Sequence, residues 1–86
     1  MDQESKPQGI KERTFVFAAE IVLFCDALDS RRGAVRTLGR QLLRAGTSIG
    51  ANVEEAQAGQ SRADCISKYS IALREARESI YLVAVA

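Results

Sequence analysis

Arg32, Arg36, Arg40 and Arg44 recur at intervals of four, with no carboxylate between residues 31 and 53. On a helix advancing about 100° per residue, this spacing predicts a basic ridge opposite Val35, Leu38, Leu42 and Ile49. Guanidinium groups offer paired donors that fit phosphate oxygens, and released counterions supply affinity independent of base sequence. Contact with an RNA or DNA backbone is the chemistry such a ridge could perform. No aromatic residue is interleaved with these arginines, so the competing reading is an ordinary solvated face paired with acids on neighbouring helices.

A second constellation, Gln41, Arg44, Ser48, Asn52 and Glu55, steps by three and four along the flank of the same apolar stripe, and Asn52 falls on the continuation of the seam. Half-buried polar groups need partners. These residues are expected to bond to a neighbouring helix or subunit and to fix the register of an oligomer. Catalysis is not expected, because Ser48 has no histidine in the chain and no nearby lysine to deprotonate it. The absence of histidine also removes the usual triads and most zinc sites. Cys25 and Cys65 lie in separate apolar patterns without a second thiol at metal-ligand spacing, which predicts buried reduced thiols, no metal and no cofactor.

The elements that must position these residues follow from composition. The chain has 86 residues, 47% hydrophobic and 27% charged, with one proline. That is one domain, close to the size at which a lone core becomes marginal. The net charge of +1 excludes a generally basic nucleic-acid binder but conceals an uneven distribution. Residues 1–30 carry three basic and six acidic side chains, residues 31–53 five arginines and no acid, and residues 54–86 four basic and five acidic. The polar N-terminus has no apolar stretch of the signal-peptide kind. Phe15 to Cys25, interrupted by Glu20, is shorter than the roughly 20 residues of a membrane span. A cytoplasmic protein without membrane contact is expected.

Residues 1–10, with Pro7 and Gly9, read as a flexible tail before a single helical domain over 11–86. The first helix is predicted at about 11–28, with Phe17, Ile21, Phe24 and Leu28 on one face and Val16, Leu23 and Ala27 on others. Such all-round apolarity points to a partner subunit. Asp29 or Ser30 could cap the next helix, predicted at about 34–57, along which Val35, Leu38, Leu42, Ala45, Ile49 and Ala56 form a stripe. Gly39, Gly46 and Gly50 in this helix suggest close helix contact. Ser61 and Asp64 resemble a capping box opening a third helix at about 62–86. There Ile66, Tyr69, Leu73, Ala76, Ile80 and Val83 form a heptad seam, and Arg74 with Glu78 an i, i+4 pair.

Short connections between these helices predict antiparallel neighbours, hence an all-α, up-and-down bundle. The last six residues, YLVAVA, carry no cap. Three such helices are expected to leave an open apolar groove where a fourth would pack.

Residues 41–55, QLLRAGTSIGANVEE, and residues 61–81, SRADCISKYSIALREARESIY, resemble the four-helix-bundle family encoded by intervening sequences in bacterial 23S ribosomal RNA genes. The family's Gln, Arg-Ala, Ser-Ile and Asn occur here as Gln41, Arg44-Ala45, Ser48-Ile49 and Asn52. Where the family often continues Asn-Ile-Ala-Glu-Gly, this chain has Asn52, Val53, Glu54, Glu55 and Ala56. The resemblance implies a small bacterial cytoplasmic protein, assembly as a pentameric ring, and a further helix after the third. It also relates the chain to the accessory protein of diversity-generating retroelements, which works with a reverse transcriptase and nucleic acid through a basic surface.

The expected function is that of a non-enzymatic homo-oligomer associating with RNA or ribonucleoprotein through Arg32, Arg36, Arg40 and Arg44. The alternatives are a protein-interaction scaffold that binds no nucleic acid, and a truncated copy without function of its own.

Overall fold

A computed structural model describes residues 9–59 and 61–85. Residues 1–8 of the expected flexible tail lie outside the described residues, and Ile10 already belongs to the first helix. Among the described residues three helices follow one another: α1 (Ile10–Leu28), α2 (Ala34–Ala58) and α3 (Arg62–Val85). The protein is all-α, as its spacing of apolar residues and scarcity of proline predict. At 25 residues, α2 spans about 37 Å. It is the central element, because α1 and α3 each pack along it and their backbones do not pack along one another.

Both neighbours run antiparallel to α2. Along the α1–α2 seam, Gly39, Gly46 and Gly50 lie against Leu28, Ile21 and Thr14, so rising numbers on one helix meet falling numbers on the other. Along the α2–α3 seam, Arg44 meets Glu78 while Glu55 meets Lys68. The result is an open up-and-down bundle with extents of 42 × 38 × 17 Å, one helix layer thick.

The stripe predicted on α2 is the core. Leu42, Ala45, Ile49, Val53 and Ala56 are buried, and Val35 and Leu38 are half-buried. Ile21 and Cys25 of α1 and Leu82 of α3 join Leu42 and Ala45 in one cluster, while Ile49 and Val53 pack with Ala72. Gly46 permits the close approach of α1: a Cβ there would stand 2.9 Å from Ile21 Cγ2.

The outer helices are rotated from the orientation their sequence suggests. On α1 the buried line is Thr14, Ile21 and Cys25, with Ala18 and Leu28 half-buried. Phe17 and Phe24, expected beside Ile21 and Leu28 in the core, are exposed. The reason is steric, since the glycines of α2 receive small or branched side chains at close range, not phenyl rings. On α3 the heptad seam is turned outward more completely: Ile66, Leu73, Ile80 and Val83 are at least half exposed, Ile80 reaching 71%, with Tyr69 and Ala76 half-buried. The face against α2 is instead Ala72, Ser79 and Leu82, flanked by Lys68, Glu75 and Glu78. Small side chains allow α3 to sit close, and its charged residues turn toward the polar flank of α2 that needs them.

Two expectations about the connections are also corrected. Neither Asp29 nor Ser30 caps α2: Asp29 is the C-cap of α1, and the Ser30 hydroxyl donates to the Ala27 carbonyl at 3.0 Å. The N-cap of α2 is Gly33, whose φ of 66° lies in the left-handed region that glycine tolerates. The second connection follows its prediction, with the Asp64 N–H donating to Ser61 Oγ at 3.0 Å.

Candidate functional site

Three of the four ridge arginines stand on α2, on the side of the layer opposite the core stripe. Arg32 lies in the turn before α2 and not on the helix where the four-residue spacing placed it. The ridge then divides according to which nitrogens are engaged. Arg44 directs Nη1 to Glu75 Oε1 at 3.3 Å and Nη2 to Glu78 Oε2 at 2.7 Å, so both ends of its fork are held by α3. The two carboxylates, Glu78 foremost, hold its proton more firmly than usual. The Glu75 side chain is only 12% exposed, which ties it to this contact.

Arg36 and Arg40 behave differently. Each donates through Nε to the same oxygen, Asp29 Oδ1, at 3.4 and 3.3 Å. The hydrogen bonds from Arg40 and Arg36 hold the Asp29 carboxyl below the usual carboxylate range. Among the described residues, the Nη groups of Arg36 and Arg40 make no hydrogen bond. No acidic residue occupies the first turn of α2.

The polar flank of α2 also divides. Asn52 Nδ2 donates to the Ser48 carbonyl at 2.9 Å and to Ser48 Oγ at 3.1 Å, both within its own helix. Arg44 and Glu55 reach across to α3, where Glu55 accepts from Lys68 Nζ at 2.8 Å and raises the lysine pKa. Gln41 is exposed. Thus Arg44 and Glu55 join α2 to α3, Asn52 bonds back to Ser48 within α2, and Gln41 stands apart.

Asp29, Glu75 and Glu78 are the partners that sequence reasoning did not assign to the arginines. Asp29 stood out as a capping residue and Glu78 as a partner for Arg74, but Glu78 turns to Arg44 instead. The available signal was the i, i+3 spacing of Glu75 and Glu78, which puts two carboxylates on one face of α3.

On the other side of the layer, α1 and α3 wall an open groove. Ile10 and Phe17 line it from α1, Ile49 from the floor, and Ala76, Ile80 and Val83 from α3, around a volume of about 790 Å³. Arg13, Thr14 and Ser79 are its polar lining residues. The hydroxyls of Thr14 and Ser79 are occupied, donating to the carbonyls of Ile10 and Glu75 at 2.9 Å each. Ile10, Phe17 and Phe24 repeat at intervals of seven along α1, as Ile66, Leu73 and Ile80 do along α3. Each set therefore keeps to one side of its helix.

The two thiols differ in burial. Cys25 is buried among apolar side chains, and burial pushes its pKa up and favours the inert thiol. Cys65 is half-buried, and both cysteines are free. Among the described residues, no helix is long and apolar enough to cross a membrane.

The model of the family described as 23S rRNA-intervening sequence protein matches residues 8–86. The chain belongs to this family. No curated protein matches it. A crystal structure of a protein with unknown function from the S23 ribosomal protein family of Bacteroides thetaiotaomicron VPI-5482 is 40% identical. The similarity covers 90% of this chain and 70% of that one, with a TM-score of 0.82. In this 23S rRNA-intervening sequence protein, the segment 41–55 that carried the resemblance is the middle of α2. One flank of it binds α3 through Arg44 and Glu55, and Gly46 and Gly50 receive α1. Residues 41–55 thus form the part of the central helix against which both outer helices pack.

Proposed function

We propose that this chain is a non-enzymatic, self-associating helical module of the cytoplasm, and that the open groove and the adjoining faces of α1 and α3 receive a second copy of the same chain. The observation that carries the reading is the exposed apolar groove, with Ile10 and Phe17 on one wall and Ile80 and Val83 on the other, each at one end of an exposed heptad stripe that continues through Phe24 on α1 and Leu73 and Ile66 on α3. A contiguous apolar surface of this kind is the mark of an interface. The same chain supplies the complementary element, because α1 also exposes Val16, Val22 and Leu23. A net charge of only +1 puts little repulsion in the way of association between identical chains.

The non-enzymatic part of the reading rests on the Thr14 and Ser79 hydroxyls, which donate to backbone carbonyls, on Ser48, whose oxygen accepts from Asn52 and faces no base among the described residues, and on the buried Cys25 thiol. Two free cysteines accord with a reducing compartment. Light scattering tests the assembly: a defined mass above that of one chain is expected at micromolar concentration, and a well-folded monomer would refute it. Association with RNA or DNA is a second reading. It is favoured by one observation, the excess of arginine around Asp29 where α1 passes to α2.

A further inference from the structure

The arginine face is uneven in a way that bears on phosphate chemistry. A guanidinium has five N–H donors, and its two Nη groups form the fork that grips phosphate or carboxylate oxygens in pairs. Arg44 has both Nη groups committed to Glu75 and Glu78. Arg36 and Arg40 are held by the opposite edge, through Nε, on the single oxygen Asp29 Oδ1. Among the described residues their forks stay open, and the shared acceptor keeps the two groups side by side. Arg31 and Arg32 stand in the turn that follows Asp29, both exposed.

We propose that Asp29 braces Arg36 and Arg40 into a receptor for the phosphodiester groups of a polynucleotide backbone at the α1–α2 corner. Arg31 and Arg32 extend it to neighbouring phosphates. The proposal rests on the second reading above and narrows it from the whole ridge to one end. A polynucleotide fits better than a lone phosphate because four arginines stand along one turn and the beginning of one helix, offering repeated charge to a repeated ligand. No aromatic side chain occurs from residue 25 to residue 68, so base stacking is not offered and the contact is to backbone. Asp29 is a positioning residue, acting through the arginines. Fixing two long side chains beforehand removes part of the entropy they would otherwise lose on binding.

The test exploits a conflict of sign. Asp29→Asn removes one negative charge from a basic surface, so charge alone predicts tighter binding to nucleic acid. Bracing predicts weaker binding. The full chain is titrated with a labelled single-stranded RNA at low salt, read by fluorescence anisotropy, with DNA of the same sequence and inorganic phosphate as further arms. Wild-type binding should fall with salt, with a slope of about −0.7 per phosphate contacted. RNA and DNA should bind comparably, and phosphate should compete only weakly.

D29N should weaken RNA binding by about threefold through lost preorganisation, and R36Q/R40Q by about tenfold or more with a shallower salt slope. R44Q should change affinity by less than about twofold, since its fork is already occupied. Circular-dichroism spectra showing each variant fully helical at the temperature of the titration keep these results from being read as unfolding. Tighter binding by D29N overturns the brace while leaving the nucleic-acid reading intact. Equal losses for R44Q and R36Q/R40Q overturn the corner in favour of the whole ridge. No RNA or DNA binding by the wild type overturns the site and the second reading together.

Discussion

The groove face, lined by Ile10, Phe17, Ile49, Ile80 and Val83, and the arginine face, with Arg36, Arg40 and Arg44, lie on opposite sides of the same central helix. On the arginine face much of the charge finds a partner within the chain: Asp29 holds two guanidinium groups, and Glu75 and Glu78 hold the third. On the groove face, side chains as large as Phe17, Phe24 and Ile80 find none. A charge left in water costs little, whereas exposed apolar area loses about 25 cal/mol per Å² relative to burial. The two faces therefore carry different pressures. The apolar face has the larger driving force for association, and the arginine face can add selectivity more than affinity.

Reversing the groove's character is the strongest way to break this contrast. A Phe17→Glu, Ile80→Glu double variant puts a carboxylate on each wall. Burial of such side chains is worth about 1.5–3 kcal/mol each, so association should weaken by roughly two orders of magnitude or more. Light scattering is expected to show single chains, with α-helical circular dichroism retained. An unchanged mass would move the interface away from the groove.

The next effect separates the groove from its supports. Gly46→Val forces Cβ toward Ile21, where 2.9 Å is too close for buried branched carbons. Overpacking of this kind should cost about 1–3 kcal/mol, lowering the urea midpoint and moving the α1 wall outward. Because the Arg44 contacts lie on the other seam, its pairing with Glu75 and Glu78 should survive. A double-mutant cycle of Gly46→Val with Arg44→Gln is expected to be additive.

A smaller effect of opposite sign is expected one turn on. At Gly50 a Cβ would meet the Thr14 carbonyl oxygen at 3.4 Å, an ordinary contact. Gly50→Ala should therefore stabilise by up to about 1 kcal/mol through helix propensity, raising the melting temperature without altering assembly.

The smallest effect belongs to the arginine face and depends on pH. The folded Asp29 carboxyl titrates below its unfolded value because Arg40 and Arg36 bond to it. Its contribution to stability is thus fully present above the ordinary carboxylate range and is lost as pH falls through the lower folded value. Wild type should melt slightly above Asp29→Asn at neutral pH, and the two curves should converge in acid. The pairs are about half exposed, so high salt should shrink the difference. A gap that persists in acid would assign the effect to the α1 C-cap and not to charge.

The legibility of these features in the sequence follows the strength of their periodic signals. The core stripe of α2 was readable because Leu42, Ala45 and Ile49 oppose a face dominated by Arg36, Arg40 and Arg44, leaving one way to orient the helix. On α1 the apolar residues nearly encircle the helix, so periodicity could not choose between Phe24 and Cys25. The choice fell to the glycines of α2, which admit only a close fit. The heptad of α3 was the cleanest pattern in the chain, yet Ile66, Leu73, Ile80 and Val83 are exposed and its C-terminal half lines the groove, because periodicity identifies an apolar face without naming its partner. The ridge was legible as charge. Its division was not, since whether an arginine uses Nε or Nη depends on where Asp29 and Glu75 arrive.

Sequence by itself determined that the fold is all-α, where the helices of the described residues lie, and that charge collects on one side of α2, since these follow from local propensity and from spacing within a helix. Only the tertiary structure decided which apolar faces are spent within the chain and which stay open. It also decided which arginines keep a free fork. Both depend on the rotation of each helix about its own axis, and that rotation is set by contacts between residues far apart in the chain.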